Sequence, residues 1–199
     1  FTIQMIDMRF FDVFPFVGFL LLVLMILGKS ILLKNKNVPI FSNTSKTAFT
    51  KYILYPLFTL TFILLIFELT KPVFKISCSI LPKLLMKPLI ESIYPDILGT
   101  ILITISLILM GLTLQNFRKS LRFGMDSNNL GKLTTTGIFS ISRNPFFVSI
   151  KLFFMGVALL LPNLFFMIIA LLTIVSIHLF ILKEEQFLKQ NYGKEYESY

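Results

Sequence analysis

Residues 146–182 read FFVSIKLFFMGVALLLPNLFFMIIALLTIVSIHLFIL, an apolar run broken near its middle by Pro162-Asn163. Proline lacks a backbone N–H and asparagine favours turns, so this pair reads as a turn. The runs on either side, Phe146–Leu161 and Leu164–Leu182, approach the length needed to cross a hydrocarbon core of roughly 30 Å. So short a link forces them into an antiparallel helical hairpin. Neither run alternates polar and apolar residues, as a membrane β-strand would. The expected fold class is therefore all-α, a polytopic bundle of membrane helices.

Three more apolar stretches precede the hairpin: Phe14–Leu33, Tyr52–Leu69 and Ile97–Leu114. Lys29 can snorkel from the first toward the interface. The total is about five spans, followed by a C-terminal cytoplasmic helix. Pro72–Pro95 is rich in proline and lysine and reads as an interfacial loop or short amphipathic helix. The chain is 55% hydrophobic and 15% charged, with mean hydropathy +0.82; soluble domains carry about 25% charge. An integral membrane protein is expected, as one domain over 1–199, since no repeat or low-complexity linker divides it. With Phe1 first, the numbering is expected to begin inside a longer reading frame or after processing, and the first apolar segment does not read as a signal peptide.

The net charge of +9 is spread over short inter-helix stretches, so it points to membrane topology and no nucleic-acid partner is expected. Lys34, Lys36, Lys46 and Lys51 fall between the first two spans with no acid. Arg118, Lys119, Arg122, Lys132 and Arg143 precede the hairpin, against Asp126 alone. Lys183, Lys189 and Lys194 follow it. Five spans put these three regions on one side, which the positive-inside rule makes cytoplasmic. The N-terminus and the 71–96 loop then lie outside. Cys78 is the single cysteine and His178 the single histidine, so neither an intrachain disulfide nor a metal site is expected.

Two cytoplasmic segments could carry chemistry. The first is GIFSISRNP, residues 137–145. Asparagine is a preferred N-cap and proline is favoured at the first helical position, so Asn144-Pro145 is expected to start the fourth span. A helix N-terminus presents unpaired N–H groups that can hold an anion, and Arg143 adds a bidentate donor. The plainer alternative is a capped helix beside a snorkelling arginine. The second segment is KEEQFLKQNYGKEYESY, residues 183–199. Helical spacing puts His178, Glu185, Leu188, Tyr192, Tyr196 and Tyr199 on one face, with Glu184 about 100° away from Glu185. A carboxylate among aromatic rings suits a cationic ligand. The alternative is an amphipathic surface helix whose acids are offset by its lysines.

Taken together, the two segments resemble the isoprenylcysteine carboxyl methyltransferase family, within a superfamily that includes phospholipid N-methyltransferases similar in their Glu-Glu pair. The matching residues are Gly137, Phe139, Arg143, Asn144 and Pro145, then Glu184, Glu185, Leu188, Tyr192, Gly193, Tyr196 and Tyr199. The resemblance covers about 111–199, the expected cofactor region. It implies an S-adenosylmethionine-dependent methyltransferase in a multi-pass membrane setting, with its active site facing the cytoplasm. Gly137, Phe139, Arg143, Asn144, Glu184, Glu185 and Leu188 would line the cofactor, and Arg143, Asn144 and Glu185 would serve catalysis. Eukaryotic members have histidine where this chain has Asn144, whereas bacterial relatives also use asparagine, which suggests a bacterial inner membrane. The arginine-bearing tail common in the family has no counterpart up to Tyr199, so the family's acceptor contact is not carried across.

The implied partner is a lipophilic methyl acceptor: a membrane lipid, a prenylated cysteine, a small thiol or a quinone-like molecule. A carboxylate or thiolate acceptor needs no base, whereas an amine would need one, from His178 or a glutamate. A sterol-reductase-like enzyme using NADPH and a non-enzymatic scaffold are the alternatives. Glu68, Lys151 and His178 are ionisable residues in or near the spans, where pairing or function is the default expectation. The inferred topology puts Glu68 near the outer side and Lys151 on the inner half, so no direct pair between them is expected, and for His178 an interhelical hydrogen bond is expected ahead of catalysis.

Overall fold

The computed structural model describes residues 2–35, 50–116 and 136–193, with side chains from Phe10 onward except Thr50 and Lys51. Lys36, Lys46, Arg118, Lys119, Arg122, Asp126, Lys132, Lys194, Tyr196 and Tyr199 lie outside the described residues. The elements are α1 (Thr2–Lys34), α2 (Tyr55–Phe74), the four-residue α3 (Lys83–Met86), α4 (Ile93–Asn116), α5 (Pro145–Leu160) and α6 (Leu164–Tyr192). Among the described residues no strand occurs, and an isolated bridge joins Pro88 to Asn163. The chain is an all-α membrane helix bundle. Four helices, α1, α2, α4 and α6, are long and apolar enough to cross a membrane, and α5 is a shorter apolar helix.

Two helices extend beyond the apolar runs that mark them in the sequence. The second span was expected to stop before Pro72, but α2 runs on to Phe74. A proline removes only its own N–H bond, and a helix in an apolar setting tolerates that. The helix ends where Lys75 turns left-handed at φ 52° and donates its N–H to the Lys71 carbonyl. Likewise α1 passes through the buried Pro15 and begins well before Phe14. The last span and the expected C-terminal helix are one rod, α6, with no break at Lys183.

The bundle is organised around α4, which packs on α1 and most extensively on α5. The α4–α5 crossing is set by two glycines. A Cβ built on Gly99 would lie 2.7 Å from the Gly156 carbonyl oxygen, and one on Gly156 would lie 2.7 Å from the Gly99 oxygen. Small residues let helix backbones meet where lipid gives no hydrophobic drive to association. Farther along the seam, the Ser106 hydroxyl donates to the Ser149 carbonyl at 2.7 Å, and the Ser149 hydroxyl donates to the Phe146 carbonyl at 2.7 Å. Both serines are fully buried, so the seam stays polar inside yet satisfied. Phe153, Ile103, Met110 and Leu69 are buried core residues. Gly18 brings α1 onto Ile103 and Phe153.

The Pro162-Asn163 turn forms the expected hairpin. Asn163 caps α6, its side-chain oxygen accepting from the Phe166 N–H at 3.1 Å. The hairpin closes firmly at this end, where Phe165, Phe166, Ile169 and Ala170 are buried. Beyond Ala170 many residues of α6 are exposed.

Candidate functional site

The antiparallel α5–α6 pairing brings the two chemical segments to one end of the bundle. Phe147 of α5 and Phe180 of α6 meet edge to face with ring centroids 5.3 Å apart. Asn144 lies three residues from Phe147 and Glu184 four from Phe180. At 1.5 Å rise per residue these are steps of about 4.5 and 6 Å toward the same end. The start of α5 and the acid pair therefore sit at similar depth, and the loop before α5 packs on α4.

The loop is built on Gly137. Its φ of 68° is left-handed, and a Cβ there would collide with the Asn116 side-chain oxygen and lie 2.9 Å from its Cγ. Glycine is thus required twice, for conformation and for space. Asn116, the last residue of α4, is held by its own amide donating to the Leu112 carbonyl at 2.7 Å. A 3₁₀ turn over Gly137–Ser140 follows. The Ser140 hydroxyl closes it on the Gly137 carbonyl at 2.7 Å, and Phe139 is buried beneath. Asn116 was missed in the sequence; its only signal is a polar residue ending an apolar run.

Asn144 occupies the N-cap position and Pro145 opens α5, as expected, but the asparagine side chain makes no capping hydrogen bond. This corrects the expected role of Asn144 as a side-chain cap. Its backbone is at φ −130° and ψ 53°, and its N–H donates to the Ser142 hydroxyl oxygen at 3.3 Å. The first-turn N–H groups of α5 are left without the Asn144 amide as partner. Arg143 is exposed at the edge of the loop.

On α6, the half-buried positions Ile177, Ile181, Glu184, Glu185, Leu188 and Tyr192 recur at helical spacing and mark the inward face. The two acids straddle that face, which an adjacent pair can do because each lies to one side of the inward direction. Glu184 is the more constrained. Its Oε2 is buried and has no hydrogen-bond partner among the described residues. Lying past the apolar run, its carboxyl is pushed above the ordinary range, first by burial and then by the neighbouring Glu185 charge. His178 is exposed and off the inward face, and it makes no interhelical hydrogen bond among the described residues. Glu68, 2% exposed, pairs with Lys71 at 2.9 Å near the opposite end of the bundle.

The structure thus brings Gly137, Phe139, Arg143, Asn144, Glu184, Glu185 and Leu188 to one end, on three neighbouring elements. Among the described residues no group of three metal-ligating side chains occurs. No curated protein and no solved structure matches the chain at a significant level. A family model described as phospholipid methyltransferase matches residues 95–195. That match spans α4, the Gly137 loop, the hairpin and the acid pair, and covers just over half of the sequence. The chain belongs to the phospholipid methyltransferase family, a family of membrane methyltransferases.

Proposed function

We propose that the chain transfers a methyl group from S-adenosylmethionine to a lipophilic, membrane-partitioning acceptor at the cytoplasmic end of the bundle. The observation that carries this reading is Glu184, whose buried carboxylate oxygen on the inward face of α6 has no hydrogen-bond partner among the described residues. A buried, unpartnered carboxylate is costly to a folded protein and calls for a cationic or hydroxyl-bearing ligand. S-adenosylmethionine fits this set, because it carries an ammonium, a sulfonium, ribose hydroxyls and a carboxylate.

Glu184 and Glu185 would hold its ammonium and ribose. Asn144, the opening N–H groups of α5 and Arg143 would hold its carboxylate. Gly137 lets the loop backbone pass close to the end of α4, and Phe139 and Leu188 provide apolar walls. When bound, this cofactor supplies a methyl carbon already activated by its sulfonium. The protein's work is then positioning, which can be worth roughly 7–11 kcal/mol, and exclusion of water from a dry cleft. No covalent intermediate on the enzyme is needed.

The acceptor is drawn from the membrane, with a phospholipid the class the family favours and a prenylated cysteine the alternative. Lys151, half-buried on α5, has no ion-pair partner among the described residues. Side chains tilt toward a helix N-terminus, which directs Lys151 at the loop end. It suits the anionic part of such an acceptor. Titration of the purified protein with S-adenosylmethionine and with NADPH tests the reading. Saturable binding of the first alone is expected, weakened about ten- to a hundredfold in Glu185→Gln by loss of a charge-assisted hydrogen bond. NADPH binding without S-adenosylmethionine binding would replace it with the reductase reading. Methyl transfer into phosphatidylethanolamine against a prenylated cysteine then identifies the acceptor class.

A further inference from the structure

We infer that α1 completes the cofactor site with Lys29, whose ammonium holds the carboxylate of S-adenosylmethionine; this rests on the reading of the site as one for that cofactor. Gly18, Leu22, Met25, Lys29 and Leu33 recur at steps of four, three, four and four, which makes them one stripe of a helix. The rest of the stripe faces the bundle. Gly18 meets Ile103 and Phe153, and a Cβ on Gly111 would lie 3.2 Å from the Met25 methyl carbon. Leu22 is 5% exposed and Leu33 3%, both within the core. Lys29 between them is half-buried. Snorkelling carries a lysine head out to water, yet here a buried leucine stands one turn farther out on the same stripe.

The same contacts make α1 and α4 parallel. Lys29 stands four residues, about 6 Å, beyond Met25, and Asn116 stands five, about 7.5 Å, beyond Gly111. Lys29 is thus level with Asn116, against which the Gly137 loop is seated. Ser106 bonds the Ser149 carbonyl, so Asn144, five residues toward the start of α5, is level with about Gly111. A lysine side chain leans toward its own helix N-terminus, which turns the Lys29 ammonium back toward that start. Among the described residues, α1 beyond Asp12, α4 beyond Asp96, the loop 136–144 and α5 carry no acid. They carry Lys29, Lys34, Arg143 and Lys151, besides the positive end of α5. Lys151 lies about 200° around α5 from Ser149, on the side away from α4. Glu184 and Glu185 belong to α6, which packs on α5 and α3. Lys29 makes no hydrogen bond and no ion pair among the described residues. An ammonium turned toward a helix N-terminus is repelled unless an anion lies between them. The cofactor's carboxylate is that anion: Lys29 reaches it from α1 and Arg143 from the loop, while its ammonium turns toward the acids of α6.

The test titrates the intact protein, by calorimetry in detergent, with S-adenosylmethionine and with its decarboxylated analogue, which keeps the ammonium and the sulfonium. Lys29→Gln should weaken binding of the first about tenfold or more, as loss of a charge-assisted hydrogen bond does. It should leave binding of the second no weaker. Lys29→Arg keeps the charge and should retain the wild-type preference between the two ligands. Lys29→Met places an apolar chain of similar length in the seam and should repeat the glutamine pattern, which separates a lost contact from a folding defect. Equal weakening toward both ligands would make Lys29 part of the fold and overturn the inference. No weakening toward either would leave its ammonium in water or on the carbonyl end of α4, and would overturn it too. So would a change confined to the KM of the acceptor. A wild-type protein that binds neither ligand would instead overturn the S-adenosylmethionine reading itself, and this inference with it.

Discussion

The most informative single residue is Glu184, because its burial without a partner among the described residues costs stability. A carboxyl whose pKa is raised on folding binds its proton more tightly folded than unfolded. Between the ordinary 4.5 and the higher folded value, stability therefore falls as pH rises, and the ionised group is destabilising at neutral pH. Glu184→Gln should raise the thermal stability of the cofactor-free protein at pH 7, by about 1 kcal/mol, the lower end for an unsatisfied buried group. The gain should vanish below pH 4.5, where the wild-type carboxyl is protonated in both states. The same variant should bind S-adenosylmethionine more weakly than wild type. Thermal melts across pH with parallel binding titrations check both halves; an unchanged melting temperature would place the carboxylate in water. Asn144 offers the converse case. Replacing a capping asparagine by alanine costs about 0.5–2 kcal/mol, but this side chain caps nothing. Asn144→Ala should thus melt within about 0.5 kcal/mol of wild type while losing cofactor affinity; a loss near the full capping value would show that the amide does cap in solution.

At the scale of elements, what was legible followed from how strongly each local signal is fixed by chemistry. Continuous apolar runs and the Pro162-Asn163 turn fixed the hairpin, because no other element satisfies a backbone in lipid. The Gly137–Pro145 spacing located the loop. What the sequence could not convey was which partner each signal meets. Asn144 looks like a cap because asparagine usually is one, yet its side chain accepts no N–H of the first turn of α5. His178 was placed with Glu185 by periodicity alone, whereas the inward direction of α6 is set by packing and leaves His178 outside. The Gly99–Gly156 contact was invisible because the two residues lie 57 positions apart in unrelated spans. It leads to a test. Gly156→Ala pushes a methyl to 2.7 Å from a backbone oxygen and 3.1 Å from the Ile103 nitrogen, neither of which can swing aside. The α4–α5 seam must open, at about 1–3 kcal/mol for overpacking. Gly28→Ala, with nothing within 4 Å of its Cβ, is the control and should melt at or slightly above wild type in the same detergent, since alanine favours a helix interior over glycine.

Across the whole molecule, length and charge together argue for where the site lies. The 16 residues of α5 span about 24 Å, short of a hydrocarbon core of roughly 30 Å. If the Pro162 turn sits at one interface, the start of α5 falls just inside the other. That depth suits a site receiving its cofactor from water and its acceptor from the bilayer. The same end of the bundle holds the C-terminal ends of α1, α4 and α6, since Gly18 meets Ile103 and Gly111 meets Met25 along parallel helices, while Phe147 meets Phe180 along antiparallel ones. The segments at that end are the lysine- and arginine-rich ones: 34–51, with no acid, and 115–143, with only Asp126. Short basic loops are retained on the cytoplasmic side. The opposing loop carries Lys75, Lys83 and Lys87, but Lys71 beside them is neutralised by Glu68, which weakens the competing signal. Reporter fusions after Tyr199 and within residues 40–50 should therefore both report the cytoplasm, and a fusion near Cys78 the opposite side. A non-cytoplasmic signal from either of the first two would invert the orientation and move the proposed methyl transfer to the other face of the membrane.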